Sequence, residues 1–167
     1  MFEFLTPIKL KILNLKKGQI VQSAGELNTK VYNVHSGLLR SYTIDEKGKE
    51  HIYMFASESW VIADSAPSNI PCDLFIDVLE DSSVSVLEKY TLDEIQDTKK
   101  LRKRMWVLQQ RITMLMSSTA LERYDHFLET YPDIVQRVSQ RMIASYLGIT
   151  PEALSKVKGE RLRNNKN

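Results

Sequence analysis

The sequence predicts an α+β chain in three stretches: a β-rich unit over 1–97, a long helix over 98–119 and a small helical unit over 120–167. Three observations predict it. Short runs rich in β-branched and aromatic residues alternate with turn residues from about Lys16 to Glu88. From Leu101 the apolar period changes to alternating steps of four and three. Between Ser139 and Lys158, small, turn and capping residues fall in one register. With 167 residues, 43% of them hydrophobic, the chain has ample apolar material for a core, so wholesale disorder is not expected.

The predicted strands are Gln19–Val21, Val31–Val34, Leu38–Ile44, His51–Phe55, Leu74–Val78 and Val84–Leu87. Turns are expected at Lys17-Gly18, Ala24-Gly25, Ser36-Gly37, Glu46-Lys47-Gly48 and Asp81-Ser82. Many short strands punctuated this way imply an antiparallel sandwich or barrel, because each strand must bury one face against another sheet. Residues 65–73, with two prolines and Asn69, read as a loop.

In the second stretch, Leu101, Met105, Leu108, Ile112, Leu115 and Thr119 form an a/d seam along one helix. At 1.5 Å per residue that helix is roughly 33 Å long. Burial of its five large seam residues would contribute roughly 1.5–3 kcal/mol each, which favours pairing even after association costs. The seam could instead pack on the chain's own β unit, but the length and heptad spacing favour a parallel two-helix homodimer. The three methionines 105, 114 and 116 and Trp106 read as packing residues. Helix is expected to continue from Ala120 to Tyr131, where Pro132 stops or kinks it.

The third stretch matches a helix-turn-helix. Two helices that cross steeply need a small residue where their backbones approach, here Ala144. Their tight turn needs a residue that tolerates positive φ, here Gly148. Ile143, Leu147, Ile149, Leu154 and Val157 would close the core between them. Thr150 can cap the second helix, Pro151 suits its first position, and Glu152 suits the positive end of its dipole. An ordinary helical hairpin would explain the apolar spacing but not Ala, Gly, cap and basic tail together.

Double-stranded DNA is the partner this motif predicts. Pro151, Glu152, Ser155 and Lys156 would face the major groove, with Glu152 accepting from cytosine N4 and Lys156 donating to guanine O6/N7. Ser139, Gln140, Arg141 and Thr150 would meet phosphate at helix starts. Lys158, Arg161 and Arg163 would add sequence-blind backbone contacts. The charge distribution agrees. Residues 44–97 are strongly acidic, whereas 137–167 carry seven Lys and Arg against two Asp and Glu, although a basic end can also be a solvated tail.

A β-rich unit, a long dimerising helix and a C-terminal helix-turn-helix, in that order, resemble the Crp/Fnr family of bacterial transcription regulators over nearly the whole chain. The supporting segments are Leu15–Ile20, Val31–Arg40 and the register around Gly148. The resemblance implies a cyclic-nucleotide-binding-like double-stranded β-helix (a jelly-roll), a homodimer, and regulation of promoters at a palindromic site. It also locates a candidate effector pocket at Asp64, Cys72 and Asp73. There Ala63-Asp64 stands where nucleotide-binding members have Gly-Glu, and Cys72-Asp73 stands near their Arg and hydroxyl residue. A phosphate would meet acids, Asp77 included, so tight binding of cyclic AMP or cyclic GMP is not expected, and the small-molecule effector stays unidentified. Asp64 reads as an exposed loop acid. The residues after the second helix, 161–167, leave little room for the β-hairpin wing usual in the family.

Other classes fit poorly. Cys72 is the single cysteine, so neither an internal disulfide nor an iron–sulfur sensor is expected, and a reducing cytoplasm suits it. His35, His51 and His126 lack metal-ligand spacing. No catalytic triad or clustered ligands suggest an enzyme, no cofactor is predicted, and no apolar run nears the roughly 18 residues of a membrane helix. The remaining alternative is a cyclic-nucleotide-binding-like sensor whose helix-turn-helix docks a protein partner.

Overall fold

The structure is a computed structural model that describes residues 11–88 and 98–164, excepting the side chains of 98–105 and 107. Among the described residues, six strands precede four helices: β1 Lys11–Leu15, β2 Ile20–Gln22, β3 Lys30–Ile44, β4 Glu50–Ala56, β5 Val61–Ile62, β6 Phe75–Glu88, α1 Thr98–Ser117, α2 Ala120–Thr130, α3 Gln140–Leu147 and α4 Pro151–Asn164. They form two compact units, one within 1–43 and 53–95, the other within 44–52 and 96–167. The tip of the β3–β4 hairpin therefore groups with the helices.

The β unit is an antiparallel sheet in the order β1-β6-β3-β4, with β2 also on β6 and β5 on β3. Pleating sends cross-strand partners to a shared face. Leu39 opposite Val78 and Ser41 opposite Ile76 are all buried. Arg40 opposite Asp77 and Tyr42 opposite Phe75 share the other face. Leu15, Tyr32, Val34, Ala56, Ile62, Val84 and Val86 complete the buried cluster.

Two predicted turns are bulges instead. The runs expected as separate strands on either side of Ser36-Gly37 are one bent strand, β3. The runs around Asp81-Ser82 are likewise one strand, β6. The β3–β6 register shifts between Val34 and Leu39, and Gly37 adopts φ +93°. A Cβ there would lie 2.5 Å from the Asp81 carbonyl oxygen and closer still to the Ser82 hydroxyl. That hydroxyl accepts the Leu38 N–H at 3.1 Å and donates to the Glu80 carbonyl at 2.7 Å, so it replaces ladder bonds the bulge removes. Strands β1 and β5 were not among the predicted runs. The 65–73 segment is irregular, as expected.

In the helical unit, α1 ends at Ser117 rather than Thr119. Its last residues explain the stop, since the Ser117 hydroxyl donates back to the Thr113 carbonyl at 2.7 Å and Thr119 caps α2. Thr119 and Glu122 form a reciprocal capping box. Thr119 is thus the cap of the next helix, not the last seam position of α1. α2 stops before Pro132, as predicted. Phe127, Tyr131 and Tyr146 then pack with ring centroids 5.3–5.4 Å apart, an arrangement worth about 0.5–1.5 kcal/mol per pair beyond area burial. Ile134, Ile143, Leu147 and Leu154 are fully or almost fully buried in the same unit.

Candidate nucleic-acid interface

The corner between α3 and α4 is built by local chemistry. Ser139 caps α3 by accepting the Met142 N–H at 3.3 Å. Gly148 closes it in the left-handed conformation, φ 67° and ψ 31°. The following Ile149 N–H returns to the Ala144 carbonyl at 3.0 Å, a closure that needs αL at the turn. Thr150 accepts the Ala153 N–H at 3.2 Å, and Pro151 opens α4. Ala144, Ile143, Leu147, Leu154 and Val157 are all buried, as the spacing predicts, whereas Ile149, expected in the same core, is only half-buried beside the turn.

What α4 turns outward is polar. Pro151, Glu152, Ser155 and Lys156 are exposed, as are Ser139, Gln140, Arg141, Thr150 and Arg163. The Glu152 carboxyl is held below the usual carboxylate range by its own backbone N–H, then by the Thr150 hydroxyl, with Arg141 adding to both. It is therefore ionised at neutral pH and can only accept hydrogen bonds. The Ser155 hydroxyl donates to the Pro151 carbonyl at 3.0 Å, which leaves it able to accept. Two of the basic residues predicted to contact phosphate also have partners within the chain. Lys158 donates to Gln140 at 3.1 Å, and Arg161 is bonded to Asp125 of α2 at 2.6 Å, so Arg161 belongs to the α2–α4 packing. Residues 161–164, expected as a tail, continue α4.

Along α1, Leu108 and Leu115 are half-buried, whereas Ile112 is 57% and Met116 81% exposed. Trp106 is 59% exposed. Of the residues read as packing, Met114 is buried, but Met116 and Trp106 are not. The open face of α1 thus centres on Gln109, Ile112 and Met116, about 100° per residue setting them on one side. Leu101 and Met105 lie outside the described side chains.

The candidate effector residues are differently placed. Asp64 is buried, not an exposed loop acid. Its Oδ1 accepts the Ala66 N–H at 2.5 Å. Cys72 is buried and donates its Sγ–H to the Ser23 carbonyl at 3.1 Å, and Asp73 is exposed. Asp77 adds no free negative charge, because Arg40 grips both its oxygens at 2.9 Å. The described residues contain no group of three or more metal-ligating side chains. No helix among them is long and apolar enough to cross a membrane.

Comparison with known proteins settles the lineage. Residues 12–99, more than half of the chain, match the cyclic nucleotide-binding domain family. The chain is 29% identical over 174 aligned positions to the fumarate and nitrate reduction regulatory protein of Yersinia pestis, covering 90% of this chain and 68% of that one. It is 29% identical over 168 positions to the anaerobic regulatory protein of Aggregatibacter actinomycetemcomitans, covering 87% and 64%.

The chain belongs to the Crp/Fnr family of transcription regulators.

Its fold is that of solved Crp/Fnr proteins. FixK2 from Bradyrhizobium japonicum superposes with a TM-score of 0.73 at 22% identity, covering 93% of this chain and 86% of the other. A Crp/Fnr regulator from Thermus thermophilus gives 0.74 at 18%, covering 92% and 87%. This Crp/Fnr chain spans about two thirds of the length of the curated relatives it matches. Those relatives are named as regulators, not enzymes.

Proposed function

We propose that the chain is a cytoplasmic DNA-binding transcription regulator that docks on a two-fold-symmetric duplex site as a homodimer. One observation carries this reading: the α3–Gly148–α4 corner buries Ile143, Ala144, Leu147, Leu154 and Val157 and leaves Glu152, Ser155 and Lys156 exposed on the second helix. An ionised Glu152 suits cytosine N4–H, and Lys156 suits guanine O6/N7. Ser139, Gln140 and Arg141 at the start of α3 and Thr150 at the start of α4 are assigned to phosphate, with Lys158 and Arg163 on α4.

The homodimer uses the face of α1 around Ile112, with Leu108 and Leu115 at its margin. An open stripe carrying Ile112 and Met116 supports a paired helix, since apolar side chains this open gain by mutual burial. The β unit supplies an effector pocket only if its ligand differs from a cyclic nucleotide. The stretch 61–77 holds no Arg or Lys, and Arg40, stacked 4.3 Å over the Tyr42 ring, is committed to Asp77. No tight binding of cyclic AMP or cyclic GMP is expected.

Lys156→Ala and Arg163→Ala separate base reading from phosphate attraction. Lys156→Ala should cost about 1–3 kcal/mol on the preferred sequence and flatten the preference at one base pair. Arg163→Ala should weaken all duplexes alike and reduce the salt slope by about one. Duplex titrations at several salt concentrations check both, and equal losses on every sequence from both variants would count against the reading. Binding without salt dependence would point to a protein partner.

A further inference from the structure

Three consecutive residues at the end of α3 are each tied to a different element. The Ser145 hydroxyl accepts the Ile52 N–H at 3.0 Å and donates to the Glu50 carbonyl at 2.8 Å. Among the described strands β4 ends the sheet order, and residues 50 and 52 present their backbone groups to the same side of a strand. One hydroxyl therefore covers an open stretch of edge that would otherwise need water or another strand. The Tyr146 carbonyl accepts from Arg111 of α1 at 3.4 Å, the same Nη2 donates to the Ile52 carbonyl at 3.2 Å, and the guanidinium lies 4.0 Å over the Tyr146 ring. The Leu147 carbonyl accepts from Arg123 of α2 at 3.2 Å. Arg123 also binds the Ser118 carbonyl at 3.0 Å and the Leu115 carbonyl at 2.6 Å.

The chemistry of this cluster is specific. The last carbonyls of a helix lack intrahelical donors and carry the negative end of the dipole. Here guanidiniums from two other helices take two carbonyls of α3, and Arg123 takes two more where α1 ends. Arg123 thus spans the break at Ser118-Thr119, the point where α1 and α2 would otherwise hinge. The fixed fork of the arginine guanidinium is what allows several carbonyls to be held at once. The cluster lies wholly within the unit formed by 44–52 and 96–167.

We infer that Ser145, Arg111 and Arg123 are positioning residues. They fix the angle at which α1 carries the α3–α4 pair, and so set the half-site separation that the dimer accepts. The inference rests on the DNA-binding reading above. In a dimer joined along α1, a few degrees at this joint displace each recognition helix, and duplex sites are accepted only at separations near one helical turn, about 34–36 Å. The hairpin tip is a third strut, so α3 is held against α1, α2 and residues 50–52 together.

The test compares the full chain with Ser145→Ala, Arg111→Lys and Arg123→Lys on three duplexes: a selected operator, the same operator with half-sites moved by half a turn, and a single half-site. Wild type should prefer the native separation. Each variant should lose at least about fivefold of that preference while its single half-site affinity stays unchanged. The lysine variants keep the charge but not the fork, so their loss reports geometry. In Ser145→Ala, hydrogen exchange at the Ile52 amide should quicken while the Ile143 and Leu154 amides stay protected, showing that the two-helix core is intact; if that variant fails to fold, the two lysine variants decide. An unchanged separation preference in folded variants overturns the inference and leaves the DNA-binding reading standing. A wild-type chain that binds none of the duplexes overturns that reading and the inference with it.

Discussion

Ile112→Lys is expected to yield folded monomers whose affinity for a two-half-site duplex falls by roughly 10²–10⁴. The magnitude comes from linkage: a dimer makes its second half-site contact at high effective concentration, and a monomer loses that gain entirely. Ile112 is 57% exposed, so the chain's own core loses little. A surface change of this kind usually moves stability by no more than about 0.5 kcal/mol, while a lysine on each facing helix brings like charges together in a seam that must desolvate them. Leu108 is a poorer probe, because it is half-buried and its replacement would disturb the chain's own packing as well. Sedimentation and duplex titration on the same sample check the outcome. A variant that stays dimeric with undiminished affinity would remove α1 as the pairing element.

The second large effect concerns the β unit. Gly37→Ala should lower stability by about 3 kcal/mol, combining a backbone conformation costly for any L-residue with a methyl group driven into its neighbours across the bulge. Gly37 has φ +93° and its missing Cβ points at Asp81 and Ser82 of the neighbouring strand. Gly48 is the natural control, with φ +75° at the hairpin turn and nothing within 4 Å of its Cβ position. Gly48→Ala should cost only the conformational part, about 1–2 kcal/mol. Urea midpoints for the two variants would separate the explanations, and equal losses would show that the contact with Ser82 contributes nothing.

Much of this fold was legible because it is encoded locally. The end of α2 before Pro132, the Thr150 cap and the corner at Gly148 follow from residues within a few positions of each other. So does the hairpin turn, where Asp45 accepts from the Lys47 and Lys49 N–H groups at 2.9 Å. The errors have physical causes. A glycine with positive φ serves a tight turn and a β-bulge equally well, so Ser36-Gly37 could not announce that β3 runs on. Lys11–Leu15 alternates too weakly to mark an edge strand. The Ser-Ser-Thr run at 117–119 continues the heptad count while its hydroxyls end the helix.

The candidate interface was readable for the same reason, and its limits show where spacing stops helping. Periodicity marks the apolar stripe on α1 but does not show which margin packs against the chain's own residues, so in the sequence Leu108 and Leu115 look equivalent to Ile112, although they are half-buried and it is exposed. Arg161 looks free in sequence, yet Asp125 lies 36 positions away and beside it in space. Asp77 similarly read as a repelling acid until Arg40 appeared across the ladder. Nothing in the sequence links Ser145 to Ile52, because the pairing depends on how an edge strand meets a helix end.

Selection of binding sites from random duplexes with the purified chain weighs the main claim most directly. Enrichment of a two-fold-symmetric sequence, with half-sites about one helical turn apart and a guanine or cytosine where Lys156 and Glu152 reach, is the result predicted. A pool that stays random at low salt, from a chain shown to be folded, would contradict it.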